Sequence, residues 1–192
     1  MVRLGILADT HVPDRARRLQ PQILEVFRQA GVHTILHAGD ISEASVLDEL
    51  EQIAPVYAVR GNRDWFHLRH LPDTRQLSFE GVPIVLTHGH GGWLKYLVDT
   101  YRTMRDGYRL ERYLPSLQAA FPQARMIVFG HTHNALNLWS GGQLLFNPGS
   151  AHFPYNQNEA PSLGIITIEE GGKIKAEHIT LEQPVIATRP GS

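Results

Sequence analysis

Short apolar runs along the chain each end in a polar signature. VRLGILADTH ends in Asp9 and His11, HTILHAGD in Asp40, and PVYAVRGNRD in Gly61, Asn62, Arg63 and Asp64. VPIVLTHGHGG ends in His88 and His90, RMIVFGHTHN in His131 and His133, and LLFNPGS in Asn147 to Ser150. Runs of this length, bounded by turn residues, predict six strands. Between the first three, Ile23, Leu24, Phe27 and Ala30 keep three-and-four spacing with Gly31 as a stop, and Ser42 is placed to cap a helix carrying Val46, Leu47, Leu50 and Ile53. Strand and helix in alternation predict an α/β fold whose early sheet is at least partly parallel. Ligands in such sheets bind beyond the carboxyl ends of the strands, which is where every polar signature falls.

The second half follows another pattern. Leu94, Leu97, Val98, Tyr101 and Met104 make one helical stripe, and Leu110, Tyr113, Leu114, Leu117 and Phe121 make another, bent or restarted at Pro115. Three strands then follow, the last two as SLGIITIEEGGKIKAEHITL, where Gly171 and Gly172 supply the positive φ of a hairpin turn. Strands in sequence imply antiparallel pairing. The expected architecture is two sheets packed together with helices outside, in one domain over 1–192 with a helical insertion at about 91–122.

Composition narrows the function. The 192 residues suffice to bury a core without staples. The absence of cysteine removes disulfides, thiolate metal sites and a cysteine nucleophile together. A net charge of -1 provides no field to hold a polyanion, so a general nucleic-acid binder is not expected. Arg15, Arg17 and Arg18 read as a solvated face. The first apolar run, Leu4 to Ala8, is cut off by Asp9 and is too short for a signal-peptide core or a membrane span, which suggests a cytoplasmic protein.

Histidines in pairs carry the chemistry. On extended chain, Asp9 and His11 project to one side, as do His131 and His133. With Asp40, Asn62 and His88, seven oxygen and nitrogen donors can converge on one edge of the sheets. Imidazole, carboxylate and amide together suit first-row divalent ions such as manganese, iron, cobalt, nickel or zinc. Seven donors exceed what one zinc takes and suit two metals sharing a bridging carboxylate. Two divalent ions against Asp9 and Asp40 leave about two surplus positive charges, or about one with a bridging hydroxide, so the site favours an anionic substrate. Metals roughly 3.5 to 4 Å apart can polarise a phosphoryl oxygen and lower the pKa of a bridging water, which then attacks in line. A Walker loop, an HExxH helix and a GxSxG elbow are all missing from the sequence.

In order along the chain, DTH, GD, GNRD, THGH and GHTH resemble the metal-binding motifs of the calcineurin-like metallophosphoesterases; with NPGS they most resemble the small, single-domain phosphodiesterase branch. The resemblance covers roughly residues 2–90 and 125–181 and implies a four-layer α-β-β-α sandwich of two mixed sheets, with the metal site at the carboxyl edge of the strands. It further implies that Asp9, His11 and His133 hold one metal, that Asn62, His88 and His131 hold the other, and that Asp40 bridges them. Manganese is the foremost ion implied, with nickel, cobalt, iron or zinc as alternatives. The expected partner is a small phosphate ester rather than nucleic acid or a membrane; a homo-oligomer stays open.

One position departs from the family pattern. Many members carry a histidine after the asparagine, where this chain has Arg63. A guanidinium stays charged and cannot act as a general acid near neutral pH, yet it can clasp a phosphate. Asp40, Asn62, Arg63 and His90 form the expected catalytic set, His90 as a substrate contact. Asp64 holds the turn or orients a neighbour, Asn147 to Ser150 support the site from below, and His33, His37, His67, His70, His152 and His178 read as structural. The competing function is a metal-binding scaffold or regulatory protein of the same fold with little catalysis.

Overall fold

The apolar stripe at Ile23 to Ala30 forms helix α1 (Pro21–Ala30), opened by Pro21 at its first position and closed by Gly31 in the left-handed region at φ 59°. The computed structural model describes residues 1–89, 110–152, 154 and 159–182. Besides α1 these contain α2 (Ala44–Glu51), α3 (Leu110–Ala120), β1 (Val2–Leu7), β2 (Thr34–His37), β3 (Val56–Ala58), β4 (Thr74–Phe79), β5 (Val82–Thr87), β6 (Met126–Phe129), β7 (Ala135–Ser140), β8 (Gln143–Pro148), β9 (Ser162–Ile168) and β10 (Ile174–Thr180). One sheet has the order β10-β9-β1-β2-β3 and the other β4-β5-β6-β8-β7.

Both sheets are mixed. β1, β2 and β3 run parallel, as do β5, β6 and β8, while β9, β10, β4 and β7 join antiparallel. Alternation along β1 sorts the layers: Leu4, Ile6 and Ala8 enter the core between the sheets with Leu36, Leu86, Val128 and Phe146. Leu7 faces the other way, toward Ile23 and Phe27 of α1 and Val46 and Leu50 of α2. Gly5 shares that outer face by the same alternation, and it is a glycine because a Cβ there would come within 2.8 Å of the Phe27 ring. On the far side, Leu114 and Leu117 of α3 cover Val85, Ile127, Phe129 and Leu145. The result is the expected α-β-β-α sandwich. Among the described residues no helix is long and apolar enough to cross a membrane.

Two expectations change, one of two alternatives is removed, and two strands are added. First, strands in sequence do not all pair antiparallel: β7 takes the sheet edge, so the returning β8 lies parallel beside β6, and β9 goes to the other sheet. Second, Ser42 does not cap α2. The N-cap is Glu43, without a side-chain cap hydrogen bond, because Ser42 has φ 78° and its hydroxyl donates to Asp14 Oδ2 at 2.9 Å. Third, α3 continues through Pro115 rather than restarting there. Fourth, β4 and β7 went unread, since both are edge strands with partly exposed faces and lack a continuous apolar run. The stripe from Leu94 to Met104, with 90–109 of the chain, lies outside the described residues.

His37 closes β2 as a fully buried side chain. Its Nδ1 accepts the Gly39 N–H at 3.2 Å, so the neutral ring carries its proton on Nε2, which donates to Thr10 Oγ1 at 3.2 Å; that hydroxyl in turn donates to the Ile41 carbonyl at 3.4 Å. The ring thus ties the chain after β1 to the chain after β2. Burial holds its pKa down to about 3, against the attraction of Asp9 and with help from His88. Below the ordinary histidine value the unfolded chain binds a proton that the folded ring refuses, so this group's contribution to stability is complete above about pH 6.5 and falls away toward pH 3. In metal-free protein, His37→Gln should therefore reduce the slope of unfolding free energy against pH by up to about 1.4 kcal/mol per pH unit between roughly pH 4 and 6. Urea unfolding in chelator measures both slopes; identical slopes would contradict a buried neutral ring.

Candidate metal centre

All seven donors read from the sequence meet at the carboxyl edge of the parallel strands. Asp9 and His11 follow β1, Asp40 follows β2 and Asn62 follows β3; His88 follows β5, and His131 and His133 follow β6. The centre lies on the seam between the two sheets. Ligand atoms of Asp9, His11 and His133 lie within 4.8 Å of one another, as do those of Asp9, Asp40 and His88.

The convergence is not made by extended chain. Asp9, His11, Asp40, His131 and His133 have φ of 54°, 50°, 56°, 70° and 56°, all in the left-handed region that costs an L-residue on the order of 1 to 3 kcal/mol. Hydrogen bonds hold them there: Asp9 N–H to Gly39 O at 3.0 Å, His11 N–H to Asp40 O at 3.1 Å, and His131 N–H to Asp9 Oδ2 at 3.1 Å. The last of these joins the two sheets.

Asp64 supplies the firmest clamp. Fully buried, it accepts the N–H groups of Ile41 at 2.9 Å and Ser42 at 2.8 Å on Oδ1, and that of Gly61 at 2.8 Å on Oδ2. Of the two roles open to it in sequence, it holds the turn, and it does so for two loops at once, those of Asp40 and Asn62. From below, Asn147 Nδ2 donates to Gly130 O at 2.9 Å and Thr132 Oγ1 at 3.1 Å, while Ser150 Oγ donates to Asp9 O at 2.9 Å. His178 donates Nε2–H to Asn147 O at 2.8 Å and stacks on Phe146, a structural role.

Three glycines make room. A Cβ on Gly61 would collide with the backbone nitrogen and carboxylate of Asp40; one on Gly39 would come within 2.8 Å of Gly61 N, and one on Gly130 within 2.9 Å of Ala38 O. Sequence reasoning did not single them out as clearance. The signal was available, since a glycine directly precedes Asp40, Asn62 and His131.

The polar atoms are arranged for a cation. His88 Nδ1–H donates to Ala38 O at 2.7 Å, which turns Nε2 toward Asn62 Oδ1 at 3.1 Å and Asp40 Oδ1 at 3.5 Å. His11 and His133 bring their Nε2 atoms to 3.2 Å, with Asp9 Oδ1 at 3.4 Å from that of His133. Asp9 Oδ1 and His11 Nδ1 are buried with no hydrogen-bond partner among the described residues. His131 Nδ1 lies 3.2 Å from Asn62 Oδ1. Buried polar atoms such as Asp9 Oδ1 and His11 Nδ1 are costly to leave without a partner, and imidazole, carboxylate and amide are the donors that a first-row divalent ion takes. The residues fit a metal.

The titration behaviour reflects the same crowding. Burial raises Asp9, but the attraction of His133, His88 and His11 outweighs it and keeps the carboxyl well below its ordinary value. Burial, reinforced by the neighbouring Asp9 charge, raises Asp40 to about 6 against the opposing pull of His88 and the Arg63 N–H. Burial also lowers His11 to about 3; Asp9 opposes this, while His133, Arg15 and Arg63 add to it.

Arg63 is split in function. Its backbone N–H donates to Asp40 Oδ1 at 2.9 Å, while its guanidinium turns outward, Nη1 3.9 Å from Asp14 Oδ2. His90 lies outside the described residues.

The calcineurin-like phosphoesterase superfamily domain matches residues 2–171. The chain is 34% identical over 182 residues to a probable metallophosphoesterase of Methanothermobacter thermautotrophicus, across 95% of this chain and 94% of the relative. It is 29% identical to phosphodiesterase YfcE of Escherichia coli, across 83% of this chain and 85% of that one. Among solved structures, zinc-complexed Vps29 of Entamoeba histolytica shares the fold with a TM-score of 0.70 at 22% identity, over 93% of this chain and 99% of the other. From its strand-end motifs to its matched domain, the chain belongs to the calcineurin-like phosphoesterase superfamily.

Proposed function

We propose that the protein is a phosphodiesterase working through two divalent metal ions. Asp9, His11 and His133 would hold one ion, Asn62, His88 and His131 the other, and Asp40 both. The observation that carries this reading is the span of Asp40: its Oδ1 lies 3.5 Å from His88 Nε2 and its Oδ2 lies 3.9 Å from His11 Nε2, so one carboxylate faces both sets of donors. When bound, the ions supply Lewis acidity toward a phosphoryl oxygen and an activated water. Manganese is the ion proposed, with nickel, cobalt, iron and zinc as competitors.

The protein's own groups do the orienting. The Ala38 carbonyl fixes the His88 tautomer, and the Arg63 N–H fixes the face of Asp40. The Arg63 guanidinium stands at the rim to bind a phosphate oxygen, and His90, two residues beyond His88, contacts substrate. Arg63 stays charged where many family members carry a histidine, so it gives no proton to a departing alkoxide. The low charge of the chain favours a small ester over a nucleic acid, and one relative is itself named a phosphodiesterase.

Two outcomes test the proposal. Metal-stripped protein should recover hydrolysis of bis-p-nitrophenyl phosphate with manganese, more strongly than of p-nitrophenyl phosphate, and Asp40→Ala should fall to the background rate. Tight metal binding without turnover of any ester would favour the scaffold instead. Since general-acid help is worth about a hundredfold or more, aryl diesters should be hydrolysed at least that much faster than alkyl diesters. Equal rates would show that another group protonates the leaving oxygen.

A further inference from the structure

We propose that Asp14 is the counter-ion that holds the Arg63 guanidinium at the rim of the metal centre and yields it to the phosphoryl group of the substrate, so that Asp14 tunes the affinity of the site for phosphate esters. The inference rests on the phosphoesterase reading of the same site.

The geometry gives Arg63 a fixed root and a loose end. Its N–H is anchored on Asp40 Oδ1 at 2.9 Å, at the heart of the centre. Its guanidinium is 3.9 Å from Asp14 Oδ2, beyond hydrogen-bond length, and both side chains are about two-fifths exposed, at 41% and 43%. An exposed pair at that distance is weak. Among the described residues the forked, two-point donation of Arg63 is unused, and a phosphoryl group offers two oxygens that match that fork.

Asp14, by contrast, is held in place. Its Oδ2 accepts the Ser42 hydroxyl at 2.9 Å, and the Ser42 N–H is bound to the buried Asp64 at 2.8 Å. This explains why Ser42 is turned away from α2: at φ 78° it belongs to a line of contacts running from the loop clamp to the rim. A fixed anion facing a cation of long reach makes a resting place for that cation, whose backbone is tied to Asp40 in the centre. The substrate and Asp14 then compete for one guanidinium.

Manganese-loaded wild-type protein, Asp14→Asn, Arg63→Ala and the double variant should be titrated with inorganic phosphate by calorimetry, alongside kcat and KM for bis-p-nitrophenyl phosphate. Releasing an exposed pair should tighten phosphate binding about two- to fivefold in Asp14→Asn, with KM falling by a similar factor and kcat changing less. Arg63→Ala should weaken binding about tenfold or more, and the double variant should match Arg63→Ala. An Asp14→Asn effect that persists in the Arg63→Ala background would route it through another cation such as Arg15 and overturn the assignment. So would unchanged or weaker binding in Asp14→Asn, or a loaded wild type that does not bind phosphate. Because the titration needs no turnover, a protein that binds phosphate with the expected coupling but hydrolyses nothing would sink the esterase reading and leave this one standing.

Discussion

Two carboxylates, Asp9 and Asp40, are buried side by side on the seam between the sheets, and much of the surrounding structure answers to their charge. Removing a carboxylate from water costs several kcal/mol even after relaxation, and a second one nearby adds repulsion. The protein meets part of that cost. Asp9 accepts the His131 N–H, Asp40 accepts the Arg63 N–H, and His88, His11 and His133 draw in around them. Yet Asp40 is still pushed up to about 6, and Asp9 Oδ1 and His11 Nδ1 find no hydrogen-bond partner among the described residues. Divalent charge at this point would settle both. The fold is in this sense built around a positive charge.

The backbone is bent to the same end. Among the described residues, five of the seven non-glycine positions with positive φ are donors of the centre. Such strain persists only where the surroundings over-determine it. Here Asp64 binds two loops with three hydrogen bonds, Asn147 and Ser150 brace two more from beneath, and the glycines before Asp40, Asn62 and His131 let the loops touch. The donors are therefore positioned largely through their backbones and neighbouring loops, with Asp9 and Asp40 also held through carboxylate oxygens that accept the N–H groups of His131 and Arg63. An extended chain would be cheaper, but it would not bring Asp9 of one sheet against His131 of the other.

This explains what the sequence could and could not tell. Strand ends were legible because buried parallel strands are continuous apolar runs, and a polar pair at the end of each run is easy to see. The seven donors followed from that pattern, as did the layers. Edge strands β4 and β7 were not legible, since partial exposure dilutes their periodicity. The left-handed turns were invisible for another reason. Asp and His carry no mark of positive φ as glycine does, and the contacts that enforce it come from residues far off in sequence, 141 positions in the case of Ser150 and Asp9. Ser42 misled for a related reason: a serine before a helix reads as a cap, and only the fold reveals that Asp14 claims its hydroxyl.

The seam itself has a consequence for stability. Asp9, His11, Asp40 and Asn62 belong to the end of one sheet, and His88, His131 and His133 to the end of the other. Each proposed ion would take donors from both. Its binding energy would then depend on the sheets being packed face to face, because either sheet alone offers only part of each ligand set. By linkage, whatever binds the packed state alone also stabilises it. The apolar core between the sheets and the polar centre at their edge thus hold one arrangement in common. Leu4, Ile6, Leu86 and Val128 bring the sheets together, and the strand ends that they align are the ones that carry the donors.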